Sequence, residues 1–257
     1  MEVDFYKFQA TGNDFIMIDD REESFDMNDD SLIKSLCERR FGIGADGLIL
    51  LRNHESYAFE MIFFNSTGER STFCGNGGRC ILSFAHFLEI FKEKCEFMAY
   101  DGVHEGSVKG DMVSLKMADV IEVNVREDSI VLDTGSPHLV KVVDNVQSIN
   151  VLNKGKKLRF SKEFGDYGIN VNFVEVNENI SIRTYERGDE MESLSCGTGS
   201  VATAIALYEI GKTDDTNITI NTTGGTLEVS FQHDGKSYIN IWLSGEASIV
   251  FSGEFEC

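Results

Sequence analysis

Proline is nearly absent. Pro137 is the only one in 257 residues, so no proline-rich linker divides the chain. Basic residues are scarce beside acidic ones, 23 Lys and Arg against 43 Asp and Glu, for a formal net charge of −20. That excess of negative charge disfavours nucleic acid and anionic membranes as partners, while saying little about a small zwitterionic ligand. No apolar run approaches the roughly 18 residues of a membrane-spanning helix. The opening Met1-Glu2-Val3-Asp4 lacks the basic segment of a secretory leader, so a cytoplasmic protein is the expectation. The six cysteines include no Cys-x-x-Cys pair, and Cys74 and Cys80 are wrongly spaced for structural zinc, so no metal is expected. There is no Gly-x-x-x-x-Gly-Lys-Ser/Thr phosphate loop. Gly42-Ile43-Gly44-Ala45-Asp46-Gly47 supplies Gly-x-Gly without the full dinucleotide-binding spacing, so no cofactor is expected either. What remains is an ordinary globular composition, 42% hydrophobic and 26% charged, with material for one large core or two smaller ones.

The chain carries one short pattern twice. Cys74-Gly75-Asn76-Gly77-Gly78-Arg79 precedes an apolar run from Ile81 to Phe91, and Cys196-Gly197-Thr198-Gly199-Ser200 precedes Val201 to Ile210. In each, a cysteine stands ahead of a small-residue turn and a helix-like pattern begins behind it. The first turn of a helix leaves N–H groups unpaired and carries partial positive charge. A cysteine there ionises more readily and lies beside an anion site. Alone, such a cysteine reads as a small buried hydrophobe. Two in matching contexts read as a pair of thiols serving one pocket. Cys37, Cys80, Cys95 and Cys257 lack the glycines and read as structural or free thiols.

Taken in order, residues 3–9 and 15–19 read as strands around the turn Thr11-Gly12-Asn13-Asp14. Asp29-Asp30-Ser31 suits the start of a helix ending near Cys37. Strands follow at 48–51 and 57–64, then a helix over 78–91 and strands near 95–100, 103–109 and 112–117. The second half repeats this order. An offset of 122 residues separates Cys74 from Cys196 and Asn65 from Arg187, and 123 separates Gly42 from Gly165. The constant offset predicts a duplication, an α/β (α+β) chain of two like domains, each several strands and one main helix. The boundary falls near 118–125. Repeats of this size pack about a pseudo-two-fold axis, and the two cysteine turns are then expected to face each other across a cleft.

A carbon flanked by two thiols suits stereoinversion next to a carboxylate, in which a proton leaves one face and another arrives on the opposite face. One sulfur must be thiolate and the other thiol. The helix N-termini favour the thiolate and can hold the substrate carboxylate and the charge that builds on it.

The residues Ala10-Thr11-Gly12-Asn13-Asp14-Phe15, Gly42-Ile43-Gly44-Ala45-Asp46-Gly47, Cys74-Gly75-Asn76-Gly77-Gly78-Arg79, Pro137-His138, Tyr185-Glu186-Arg187-Gly188 and Cys196-Gly197-Thr198-Gly199 together resemble the diaminopimelate epimerase family. The likeness extends to Trp242-Leu243-Ser244-Gly245-Glu246-Ala247 and Phe251-Ser252-Gly253-Glu254, nearly the whole chain. It implies a cofactor-independent isomerase that converts LL- to meso-diaminopimelate in lysine and peptidoglycan precursor synthesis. The fold it implies is two similar domains, each a mostly antiparallel curved sheet or barrel around a central helix. These are residues 1–120 joined by 247–257, and residues 121–246. The resemblance assigns Cys74 and Cys196 as the catalytic pair. Gly75, Asn76, Gly197 and Thr198 match carboxylate-binding turns, and Asn13, Asn65, Asn170 and Arg187 match substrate contacts. His138 and Glu186 match polar residues beside the cysteines, Glu186 contacting substrate as well. A small amino-acid substrate is the implied partner, with no nucleic acid or membrane, and a homodimer is compatible. Two positions depart from the pattern: Gly47, where some members have glutamine, and Ser136, where many have asparagine.

Other readings stay open at this level. A proline or hydroxyproline racemase, or a double-bond isomerase, would share the architecture. A cysteine hydrolase or transferase would use one sulfur as nucleophile, with His138 as its base. A binding protein would need neither sulfur.

Overall fold

The computed structural model describes residues 2–256, so Cys257 lies outside the described residues. In chain order the elements begin with β1 (Glu2–Ala10), β2 (Asn13–Asp19), α1 (Asp30–Cys37), β3 (Gly47–Arg52), β4 (Glu60–Asn65), α2 (Gly75–Phe87), β5 (Lys94–Ala99), β6 (Gly102–Lys109) and β7 (Met112–Lys116). They continue with β8 (Val123–Val125), β9 (Ile130–Asp133), β10 (Pro137–Val142), a 3₁₀ turn (Val146–Ser148), α3 (Val151–Arg159), β11 (Asn170–Val176) and β12 (Ile180–Tyr185). The last are β13 (Glu192–Ser193), α4 (Gly197–Glu209), β14 (Asn217–Thr222), β15 (Gly225–His233), β16 (Tyr238–Glu246) and β17 (Ser248–Glu256). No helix among the described residues is long and apolar enough to cross a membrane.

The chain forms two compact units, one of Met1–Leu115 with Gly245–Cys257 and one of Lys116–Ser244. In the first, β17 pairs antiparallel with β1 and β1 with β2, β2 runs parallel to β3, β3 antiparallel to β4, β4 parallel to β5, and β5 antiparallel to β6. In the second, β8, β9, β10, β11, β12, β14 and β15 follow one another in the same sequence of senses. The duplicated sequence thus folds twice along one strand path. Each path opens with two antiparallel steps and then alternates parallel and antiparallel.

One helix fills the middle of each path. α2 packs on β1, β2, β3 and β6, and α4 packs on β9, β10, β11, β12, β14 and β15. α4 is buried on every side, from Gly197 through Ala202, Ile205 and Leu207. A helix apolar all round belongs inside a core rather than on a surface. Each fully buried Leu or Ile there contributes roughly 1.5–3 kcal/mol.

The helix predicted over 78–91 begins three residues earlier and ends at Phe87, because the glycine-rich turn is already its first turn. It stops where Glu89 takes a left-handed conformation, φ 59°, with Ile90 N–H bonded to the Ala85 carbonyl at 3.0 Å. In α4 the same stop is made by Gly211, φ 65°, with Lys212 N–H on the Leu207 carbonyl at 2.9 Å. Glycine adopts this conformation without strain and glutamate does not, so only the second stop was readable in sequence. α1 begins at the expected signal, with the Asp29 carboxylate accepting from Leu32 N–H at 2.9 Å.

No sequence signal marks 151–159, where α3 forms. Gly155 in mid-helix hides it. A Cβ at Gly155 would lie 2.4 Å from Cβ of the buried Tyr185, so the helix can approach β12 only through a residue with no side chain. Ala for Gly inside a helix ordinarily stabilises by about 0.8–1 kcal/mol. Here the contact reverses the sign, since overpacking costs roughly 1–3 kcal/mol. Gly155→Ala is therefore expected to lower the urea midpoint. A raised midpoint would show that Tyr185 yields without cost.

Candidate active site

Each unit holds one sulfur at the start of its central helix. Cys74 is the N-cap of α2, with φ −120° and ψ 124°. Cys196 is the N-cap of α4, with φ −116° and ψ 110°. An N-cap residue stands just outside the helix in extended conformation, while its carbonyl accepts the first helical bond. Gly78 N–H reaches the Cys74 carbonyl at 2.7 Å, and Ser200 N–H the Cys196 carbonyl at 2.9 Å. Neither sulfur caps its own helix. The first-turn N–H groups therefore keep their positive character, which suits them to an anion.

In the first unit, Asn13 at the start of β2 joins Cys74. Its Oδ1 accepts from Asn76 Nδ2 at 3.2 Å and from Cys74 Sγ at 3.7 Å. Its Nδ2 donates to Asp46 Oδ2 at 2.7 Å, which fixes which end of the amide is oxygen. Asn76 is held from behind by Arg79, whose guanidinium donates to Asn76 Oδ1 at 2.6 Å, Thr11 Oγ1 at 3.1 Å and the Glu246 carbonyl at 3.3 Å. Arg79 is fully buried, and burial lowers its pKa. Asp14, next to Asn13, is drawn the other way. Partial burial acts to raise its pKa, but hydrogen bonds from Arg39 and Lys7 bring it down to about 2. Arg39 also binds Asp46 at 2.8 Å and so ties this cluster together.

Asn65, at the end of β4, stands apart from that network. Its Oδ1 accepts from Thr67 N–H at 2.9 Å and Glu69 N–H at 3.1 Å, which builds the turn after the strand. Its register partner is Gly47. A Cβ at Gly47 would lie 2.6 Å from Cε2 of Phe63, so that ring occupies the space a side chain would need.

The second unit gathers more of its expected residues. Thr198 Oγ1 lies 3.6 Å from Cys196 Sγ and 2.9 Å from His138 Nε2. His138 is fully buried on β10, and burial, assisted by the positive charge of Arg187, pushes its pKa down to about 3. The ring is neutral. Glu186 follows β12, and burial raises its carboxyl above the usual range while a hydrogen bond with Cys196 works against that. Asn170 opens β11 and is internally engaged. Its Nδ2 donates to Ser136 Oγ at 2.8 Å and the Pro137 carbonyl at 3.1 Å, and its Oδ1 accepts from Arg187 N–H at 2.8 Å. The Arg187 guanidinium lies over the Tyr167 ring at 4.2 Å and donates to Ser136 Oγ at 3.4 Å. Ser136 thus links Asn170 to Arg187. Gly199 completes the turn. A Cβ there would sit 2.5 Å from Asn172 Oδ1 and 3.3 Å from Cys196 Sγ.

The motifs in the sequence do not point to Asn172, Tyr167 or the supporting role of Arg79. Asn172 could have been found. Asn170 and Asn172 share one face of β11, and a polar side chain on an otherwise apolar buried strand needs a partner. Tyr167 carries no such signal, because an aromatic in a loop does not announce which cation it will meet.

The profile of the diaminopimelate epimerase family matches residues 5–121 and 130–250. A diaminopimelate epimerase of Flavobacterium psychrophilum is 52% identical over 249 residues, covering 96% of this chain and 97% of that one. Among solved structures, a PhzF-family phenazine biosynthesis protein of Bacillus anthracis shares the fold with TM-score 0.78 at 13% identity, over 100% of both chains. A hydroxyproline epimerase from Agrobacterium vitis does so with TM-score 0.69 at 12% identity, over 98% of this chain and 92% of that one. At such identities the two structures speak for the fold alone.

The environment of His138 has a measurable consequence. Its pKa of about 3 when folded lies far below the roughly 6.5 of an unfolded chain, so the unfolded state binds this proton first as pH falls. The stability this site contributes is complete above about pH 6.5 and is lost progressively toward pH 3. The Cε1–H resonance of His138 is expected to stay unchanged between about pH 8 and pH 5. Titration near pH 6.5 in the folded protein would contradict the burial.

Proposed function

The chain belongs to the diaminopimelate epimerase family, and on that premise we propose how its residues carry the family's reaction, the interconversion of LL- and meso-diaminopimelate. Cys74 and Cys196 are the two proton-transfer groups. One, as thiolate, removes the α-proton, and the other, as thiol, returns a proton to the opposite face. In the reverse direction the roles exchange. A thiol of pKa about 8.5 matches this task better than a hydroxyl, which stays protonated at neutral pH.

The observation that carries the reading is the repeated N-cap. Two independent units place a sulfur at the head of a buried 13-residue helix without letting it cap that helix. The N–H groups of the turns at Gly75-Asn76 and Gly197-Thr198 receive the α-carboxylate and the negative charge that collects on it when the proton leaves. His138 and Glu186 orient the reacting amino acid and the sulfur of Cys196. Arg187 takes the distal carboxylate as a charge-assisted pair, and Asn13, Asn65 and Asn170 serve the remaining polar groups or hold those that do. A proline-type substrate has no second charged head group for Arg187 to meet.

The reaction calls on no cofactor in this scheme, because the two thiols and the helix N-termini perform its steps. A cytoplasmic setting agrees with Cys37, Cys80 and Cys95, which carry no disulfide. The same reading takes one small amino acid as partner and is compatible with a homodimer.

Cys74→Ser and Cys196→Ser are each expected to lower kcat for epimerisation by roughly a hundredfold or more, the range for loss of a proton-transfer group. Deuterium uptake at the α-carbon in D₂O is the readout. Retention of wild-type exchange by either variant would sink the two-base scheme.

Arg187→Ala is expected to raise KM for diaminopimelate about ten- to a hundredfold, from roughly 1.5–3 kcal/mol for a hydrogen bond to a charged group. An unchanged KM would place the distal carboxylate elsewhere.

A further inference from the structure

Asn172 has no substrate role in the scheme above, yet it is fully buried beside the residues that serve Cys196. Its orientation is determined. Nδ2 lies 3.2 Å from the Leu139 carbonyl oxygen, which can only accept, so that end of the amide must be nitrogen. The other end, Oδ1, accepts from Thr184 Oγ1 at 2.9 Å. The same Nδ2 lies 3.0 Å from His138 Nδ1. A donor therefore faces Nδ1, and the one proton of the neutral ring resides on Nε2. Nε2–H points at Thr198 Oγ1, 2.9 Å away, and makes that oxygen an acceptor. The hydroxyl proton is then directed to Cys196 Sγ at 3.6 Å, a contact in which either atom could otherwise be the donor.

We propose that Asn172 is a positioning residue: by holding the His138 proton on Nε2, it makes the Thr198 hydroxyl a hydrogen-bond donor to the Cys196 sulfur. The chain of contacts runs Leu139 carbonyl, Asn172, His138, Thr198, Cys196, and each link fixes the direction of the next. Gly199 permits it, since a Cβ there would meet Asn172 Oδ1 at 2.5 Å. The Thr198 side chain is thereby committed within the protein, and its backbone N–H, rather than its hydroxyl, is left for a substrate carboxylate. A donor at the sulfur favours thiolate over thiol, because a hydrogen bond to an ionised acceptor is the stronger one. The effect on catalysis rests on the two-cysteine reading; the tautomer does not.

The test begins with the wild-type protein labelled with ¹⁵N-histidine. Long-range ¹H–¹⁵N correlation spectra are expected to show His138 protonated at Nε2, its signals identified by their loss in His138→Gln. Protonation at Nδ1 overturns the proposal without any variant having to fold. Asn172→Asp supplies the second arm. A carboxylate at this place accepts, draws the ring proton to Nδ1, and leaves Nε2 to take the Thr198 hydroxyl proton away from sulfur. The spectrum is expected to change tautomer. With it, kcat should fall roughly tenfold or more, the scale of one lost charge-assisted hydrogen bond, while KM for diaminopimelate moves less than about twofold. An unchanged tautomer overturns the role of Asn172. A switched tautomer with wild-type kcat overturns the link to the sulfur. If the wild-type protein fails to epimerise diaminopimelate at all, the function is wrong, and the tautomer result still stands or falls by its own spectrum.

Discussion

A helix that begins inside a protein must do something with its first N–H groups. Water reaches a surface helix and satisfies them. A buried helix needs a side chain, another element or a ligand. α2 and α4 begin with buried first turns, and the residue best placed to satisfy those groups is in each case a cysteine that does not. Serine, threonine or aspartate at these N-caps would stabilise the helix by about 1 kcal/mol. It would also occupy the N–H groups. The cysteine gives up that contribution and leaves two turns that suit an anion. Almost everything else near the sites follows from holding such a turn in place.

The two units meet this demand with different residues on the same strand path. In the first, a buried guanidinium does the holding: Arg79 grips Asn76 and Thr11, and Asn76 in turn grips Asn13. A buried cation costs stability unless its donors are occupied, and three acceptors meet the terminal nitrogens of this one while its Nε finds none. In the second, neutral groups serve, with His138 kept uncharged by burial and hydrogen-bonded at both ring nitrogens. Duplication supplied two equal turns, and their surroundings then diverged.

How far this was legible in the sequence depends on the kind of signal. The cysteine-glycine turns announced the two helices because glycine and cysteine are rare enough before an apolar run to stand out. The strand order was legible through the offset of the repeat rather than through periodicity, since strands such as β3 and β11 are buried along most of their length and show little alternation. α3 was not legible, because Gly155 answers to Tyr185, a contact no local pattern encodes. The end of α2 was missed because Glu89 adopts a conformation that glycine would have advertised. At the sites, residue types were readable and partners were not. Asn170 was recognisable as a polar residue opening β11, but its hold on Arg187 and Ser136 depends on how two loops meet.

The divergence gives each sulfur a different hydrogen-bonding partner. Asn13 Oδ1 only accepts, so its contact with Cys74 exists while that sulfur carries its proton and lapses when the proton leaves. On the proposed orientation, Thr198 donates to Cys196 whether or not that sulfur is protonated, and the bond strengthens when it is not. At Cys196 that donor is opposed by the hydrogen bond with the Glu186 carboxyl, so the surroundings of the two sulfurs differ in kind rather than selecting one protonation state.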